Sequence, residues 1–180
     1  GTVRFFGLDH IKDEKKVKNE IGVVFDESYF HENLKPKHIS KIMKRIYSQW
    51  DEALFLEYMH RFKLPLEKNT KDFSRGMKMK LSIATALSHH PKLLILDEAT
   101  SGLDPVVRNE ILDIFLEFIQ DEEHSILFSS HITSDLEKVA DYVTFLHDGE
   151  IIFSESKDDL LYDFGLLLCG ADDFKTVDKG

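Results

Sequence analysis

The sequence predicts an α/β fold in which a mostly parallel sheet carries an inserted helical subdomain. Three observations predict it. Residues 92–146 alternate strand, helix, strand, helix, strand. Residues 37–90 read as helical over most of their length and interrupt that alternation. Ahead of them, Ile21-Gly22-Val23-Val24-Phe25 is a short β-branched run that reads as a further buried strand. At 180 residues the chain is about one domain long.

The elements follow in order. Residues 2–6 alternate polar and apolar and read as a strand, stopped by Gly7. Residues 12–20 form a charged connector. Ile39, Ile42, Met43 and Ile46 recur at helical spacing, and Leu54, Leu56, Tyr58, Met59 and Phe62 do so less cleanly, so 37–63 reads as amphipathic helix. Pro65 and Asn69 mark a loop. A second helix over 77–88 carries Leu81, Ala84 and Leu87 on one face, and His89-His90-Pro91 ends it, because the residue before proline avoids helical geometry. Leu93-Leu94-Ile95-Leu96 is a fully apolar strand. Asp104 then caps a helix with Pro105 in its first turn, and Val107, Ile111, Phe115 and Phe118 form its apolar stripe. Residues 125–130 are the next strand, and Ser134-x-x-Glu137 reads as a capping box opening a short helix. Asp148-Gly149 between residues 142–146 and 151–153 signals a hairpin. The tail after Ser156 mixes acids with a small apolar patch at 166–169.

Charge and composition exclude several classes. Lys plus Arg number 23 against 33 Asp plus Glu, a net charge of −10. Such a surface repels phosphate backbones and argues against nucleic acid as a partner. The single cysteine, Cys169, rules out an internal disulfide framework and supplies no thiolate set for zinc. No apolar run approaches the ~20 residues of a membrane-spanning helix, and the N-terminus lacks a basic-then-apolar signal pattern.

Four segments carry chemistry. Leu93-Leu94-Ile95-Leu96-Asp97-Glu98 sets two carboxylates directly after a buried strand, at the end that faces the ligand crevice in open α/β sheets. Adjacent carboxylates there are costly without a cation, and Mg²⁺ carrying phosphates relieves that cost. The plainer alternative is a solvated acidic turn. Phe73-Ser74-Arg75-Gly76-Met77 precedes a helix. Ser74 is a good N-cap, Gly76 permits close backbone approach, and Arg75 adds a cation to a helix end that already favours anions. By itself it is equally an ordinary capped helix. Ser101-Gly102-Leu103-Asp104-Pro105 reads as a turn and a helix cap. His131, after Ser129-Ser130, ends a strand, where it either orients a phosphate or a water or simply makes a local hydrogen bond.

Their order and spacing together resemble the nucleotide-binding subunit of ABC transporters, and the resemblance covers residues 2–154. Ser74 and Gly76 match the family's signature motif, residues 93–98 its Walker B strand, residues 101–104 its D-loop, and His131 its switch histidine. The resemblance implies a P-loop NTPase-like fold, with 37–90 as the helical subdomain, 91–154 as half of the catalytic core and 155–180 as a C-terminal extension similar to that of bacterial drug- and bacitracin-export ATPases. It implies ATP and Mg²⁺ as ligands. It makes Glu98 the residue that polarises the attacking water, and His131 a γ-phosphate contact. Ser74, Arg75, Gly76 and Met77 would meet the ATP of a second ATP-binding subunit, with Asp104 supporting contacts across that dimer. Asp97, with Asp26, would hold the metal. It also implies a membrane permease as partner, and a cytoplasmic place on the inner face of the membrane.

The sequence departs from the family in three places. The phosphate-cradling pattern G-x-x-x-x-G-K-[ST] is absent. The nearest spacing, Gly165 to Gly170, is followed by Ala171-Asp172, and an aspartate there repels phosphate. Because the family places that loop ahead of a strand like residues 2–6, the expectation is a fragment lacking its N-terminal part and inactive by itself. Asp26 stands where the family's Q-loop has glutamine. Arg75 and Met77 replace a glycine and the glutamine of the signature. Two other readings remain open. One is a docking module without hydrolysis. The other is a non-transport ABC ATPase, against which the 46 residues between Asp26 and Phe73 are too few for the coiled coil of repair proteins.

Overall fold

The computed structural model describes residues 1–163. The chain divides into two compact units, residues 1–135 and 136–180. The apolar patch at 166–169, Cys169 and the 165–170 glycine spacing lie outside the described residues, as does most of the expected C-terminal extension.

In the first unit, β1 (Arg4–Phe5) and β2 (Leu8–Asp9) form a small antiparallel pair. The expected strand over 2–6 is thus cut to two residues, because the chain turns at Phe6 and Gly7, both at positive φ. The charged segment after it is a helix, α1 (Glu14–Glu20), and not a connector. Val17 is its one buried residue, and Glu14 pairs with Lys18 one turn on.

The central sheet is β3 (Ile21–Val24), β4 (Leu93–Asp97) and β5 (Ser125–Ser129), parallel in the order β3-β4-β5. Leu96 stands opposite both Val24 and Phe128, and Asp97 opposite Ser129. One face of this sheet is covered. Val24, Leu94 and Leu96 are buried on it, and Phe128 meets Phe115 of α5 (Pro105–Phe118) edge-on at 6.0 Å. On the other face Val23 is 43% and Leu127 62% exposed.

Between β3 and β4 the chain is helical, as the sequence predicts, but in more pieces. The stretch 37–63 is two helices, α2 (Pro36–Ile46) and α3 (Glu52–Arg61), separated by a turn where Asp51 accepts the Leu54 N–H at 2.9 Å and caps α3. Phe55 and Met59 of α3 and Ile39 of α2 are buried, whereas Ile42 and Ile46 stay on the surface. After a 3₁₀ turn at Thr70–Asp72, α4 (Arg75–Leu87) contributes Met79, Leu81, Ile83, Ala84 and Leu87 to the core. His89, just past its end, is buried, stacks on Tyr47 at 3.9 Å and lies with Nε2 3.0 Å from the Ile21 carbonyl.

The helix α6 (Thr133–Val139) begins one residue before Ser134, so Ser134 and Glu137 both lie inside it and form no capping box. The second unit holds a hairpin, β6 (Tyr142–His147) and β7 (Glu150–Ser156), and then α7 (Lys157–Asp163). β6 pairs with β7 in a two-stranded sheet of their own and does not extend the parallel one. Asp148 and Gly149 both take positive φ, the geometry that a two-residue hairpin turn requires.

Candidate functional site

Because β3, β4 and β5 are parallel, their carboxyl ends open on one edge of the sheet. Asp26 follows the end of β3, Asp97 ends β4 with Glu98 next, and Ser129 ends β5 two residues before His131. This is the edge where α/β sheets bind ligands.

The registry of β4 against β5 builds the core of the site. Asp97 faces Ser129 across the ladder, and the Ser129 hydroxyl donates to Asp97 Oδ1 at 2.8 Å. The same hydroxyl oxygen accepts the Glu98 N–H at 3.1 Å, which also reaches the Ser129 carbonyl at 3.2 Å. These bonds hold Glu98 at φ +50°, a left-handed conformation that side chains other than glycine rarely take. Strain of this kind, about 1–3 kcal/mol, persists only where the surroundings over-determine it. Its effect is to aim the Glu98 carboxyl away from the line of β4 and toward β5. There the His131 ring meets it, with Nδ1 2.7 Å from Oε2. With Glu98 ionised its oxygens only accept, so the ring donates from Nδ1. The Glu98 side chain is 32% and the His131 side chain 67% exposed, so the pair stands open to a solute on its outer side.

A second group forms where the first turns of α4 and α5 meet. Ser74 caps α4, its hydroxyl oxygen accepting the Met77 N–H at 3.2 Å while its own proton stays available to an acceptor. Asp104 caps α5 by accepting from Val106 and Val107 at 3.2 and 3.1 Å. Gly76 lies against α5 so closely that a Cβ there would stand 3.1 Å from Val107 Cγ1. Gly102, at φ +65°, lies under Arg75, and a Cβ there would stand 3.0 Å from the guanidinium carbon. Arg75 therefore lies along the 101–104 loop, on the exposed side of the helix start. Among the described residues no hydrogen bond or ion pair joins this group to Asp97, Glu98 and His131. Asp26 is exposed beyond β3 and makes no hydrogen bond to either group.

The sequence singled out Asp97, Glu98 and His131 individually, and the structure brings them together. It does not single out Ser129 as the residue that joins Asp97 to Glu98. The only signal for that role is a hydroxyl at the end of an apolar run, and its meaning depends on the Asp97–Ser129 registry.

Comparison with known proteins shows the family of the chain. A family profile described as ABC transporter matches residues 1–101, more than half of the chain. The chain is 32% identical over 151 residues to the ABC transporter ATP-binding protein YtrB of Bacillus subtilis (strain 168), covering 84% of this chain and 51% of that protein. It is 32% identical over 157 residues to the bacitracin transport ATP-binding protein BcrA of Enterococcus faecalis, covering 84% of this chain and 50% of that one. An ATP-binding cassette solved as a dimer bound to ADP and Pi superposes with a TM-score of 0.73 at 19% identity, over 87% of this chain and 73% of that one. The chain belongs to the ABC transporter family, and its fold is that of the family's ATP-binding cassette. It spans about half the length of the two relatives named.

Proposed function

We propose that the whole protein is the ATP-binding subunit of an export transporter of the drug and bacitracin type, and that Glu98 and His131 are its hydrolytic residues. The observation that carries this reading is the contact between Glu98 and His131 at the carboxyl edge of a parallel sheet. Phosphoryl transfer to water needs an oriented nucleophile and stabilised charge more than covalent chemistry. Glu98 supplies the carboxylate that orients and deprotonates water. His131, held through Nδ1, presents Nε2 to the γ-phosphate.

The residues present fit Mg²⁺ carried by a nucleotide. Among the described residues no group of three His, Cys, Asp or Glu side chains is gathered to hold an ion unaided. One oriented carboxylate, Asp97, is what an ion held mainly by phosphates and water asks of a protein. Asp97 would hold the ion, with Asp26 as the second carboxylate from the next strand. When bound, Mg²⁺ would neutralise charge on the phosphates.

The group formed by Ser74, Arg75, Gly76 and Met77 acts on a different nucleotide. In this reading the arrangement is head-to-tail, and the helix start of one subunit completes the phosphate site of another. Ser74 donates its hydroxyl, Gly76 lets the backbone approach, and Arg75 adds a positive charge. Asp104 keeps the adjoining loop in place. In this reading, residues 37–90 form the helical subdomain that meets a permease, residues 91–154 half of the catalytic core and residues 155–180 a C-terminal extension. The site of action is the inner face of the membrane. Among the described residues no helix is long and apolar enough to cross a membrane.

The test is phosphate release by the whole protein with ATP, in the presence of Mg²⁺ and of a chelator, with and without its permease. Mg²⁺-dependent hydrolysis supports the reading. Its absence in both preparations overturns it.

A further inference from the structure

Asp135 is 1% exposed, which is rare for a carboxylate. Arg108 of α5 faces it, with Nε 3.4 Å from Oδ1. The pair is poorly satisfied: Asp135 Oδ2 and Arg108 Nε are both buried without a hydrogen-bond partner among the described residues. A buried ion pair with unsatisfied atoms is a weak device for stability, because desolvation can exceed the attraction. What the pair joins points to a different use. Arg108 lies in the second turn of α5, the helix that the loop from Glu98 enters. Asp135 lies in the first turn of α6, four residues after His131.

Both connections are bonded throughout. On one side, the Ser101 N–H donates to the Glu98 carbonyl at 3.0 Å, Asp104 caps α5, and the Arg108 N–H donates to the Asp104 carbonyl at 2.9 Å. On the other, Ser130 Oγ accepts the Ile132 N–H at 3.1 Å, and the Asp135 N–H donates to the Ile132 carbonyl at 3.0 Å. These bonds tie the backbone around Glu98 to the start of α5 and the backbone just after His131 to the start of α6, the two helix starts that Arg108 and Asp135 join. The His131 side chain is otherwise two-thirds exposed, and among the described residues Glu98 is the one to which it is hydrogen-bonded.

We infer that Arg108 and Asp135 are a positioning pair that holds the His131 ring against Glu98. The inference rests on the hydrolytic reading of that contact, but its test needs no nucleotide. The probe is the side-chain NMR signal of His131 in the whole protein labelled at histidine, identified by its loss in His131→Gln. Glu98→Ala, which removes the acceptor, defines the signal of a broken contact. Asp135→Asn, which keeps shape and removes charge, is expected to move the His131 signal toward that of Glu98→Ala while the signal of buried His89 stays in place. Arg108→Lys keeps a cation opposite Asp135, which spares the fold, but it removes the Nε that faces Oδ1, so it is expected to move the signal in the same direction. An unmoved His131 signal in folded Asp135→Asn overturns the inference. If Asp135→Asn does not fold, an unmoved signal in Arg108→Lys does so. If Glu98→Ala itself leaves His131 unmoved, the contact does not exist, and the hydrolytic reading falls together with the positioning role.

Discussion

His131 Nδ1 lies 2.7 Å from Glu98 Oε2, although the two residues are 33 positions apart and neither is in a regular element. A neutral imidazole that donates from Nδ1 has only a lone pair at Nε2, whereas the protonated ring donates from both nitrogens. In this pose His131 therefore donates to a phosphate only when its ring is charged. The pose couples Glu98, proposed to orient water, to His131, proposed to meet phosphate, and Ser129 couples Glu98 to Asp97.

Burial of His89 makes the first unit sensitive to acid. Desolvation holds its imidazole below the ordinary value of 6.5, and the hydrogen bond to the Ile21 carbonyl offsets this only in part. A base whose folded pKa is lowered is stable in full above its unfolded pKa, and loses stability as pH falls toward the folded value. Thermal unfolding of the chain is expected to be unchanged from pH 8 to about 7 and to shift downward below about 6.5. In His89→Gln the part of this shift due to residue 89 is expected to vanish.

Gly22 is held by packing, not by backbone conformation. A Cβ there would stand 2.9 Å from Leu94 Cδ1, 3.1 Å from the Ala86 carbonyl oxygen and 3.2 Å from Pro91 Cγ. Gly22→Ala is expected to cost about 1–3 kcal/mol, the usual range for an overfilled core. Chemical denaturation measures it. An unchanged midpoint would mean that α4 does not press on β3.

On the outer face of the central sheet Val23 and Leu127 are both exposed, and exposed apolar side chains favour self-association. The 180-residue chain is expected to sediment as dimers or larger species. Leu127→Lys is expected to shift it toward monomer without loss of helix content by circular dichroism. A monodisperse wild-type monomer at high concentration would contradict this.

Much of this architecture was legible in the sequence, where the cause was local. The caps at Ser74 and Asp104, the strand 93–97 and the Asp148-Gly149 turn depend on neighbours a few residues away, and each is found where the sequence predicts it. The helix α1 was hidden because a Lys- and Glu-rich segment with one buried residue, Val17, shows no periodicity. The break between α2 and α3 was hidden because Tyr47 and Trp50 continue the apolar count, yet they pack on His89 and Phe55. Within the site, the residue types at 97, 98 and 131 announced themselves. Their contact did not, because it depends on the registry of β4 with β5. The Arg108–Asp135 pair depends in turn on which faces of two helices meet.

The most direct measurement is single-turnover hydrolysis of ATP by the whole protein carrying Glu98→Gln, with nucleotide binding followed by calorimetry on the same sample. The account predicts that the variant binds Mg·ATP with near wild-type affinity and hydrolyses it about 10²–10⁴-fold more slowly, the loss expected for a general base. Near wild-type hydrolysis in Glu98→Gln would contradict the role of Glu98 and, with it, the reading of the Glu98–His131 contact as the hydrolytic centre.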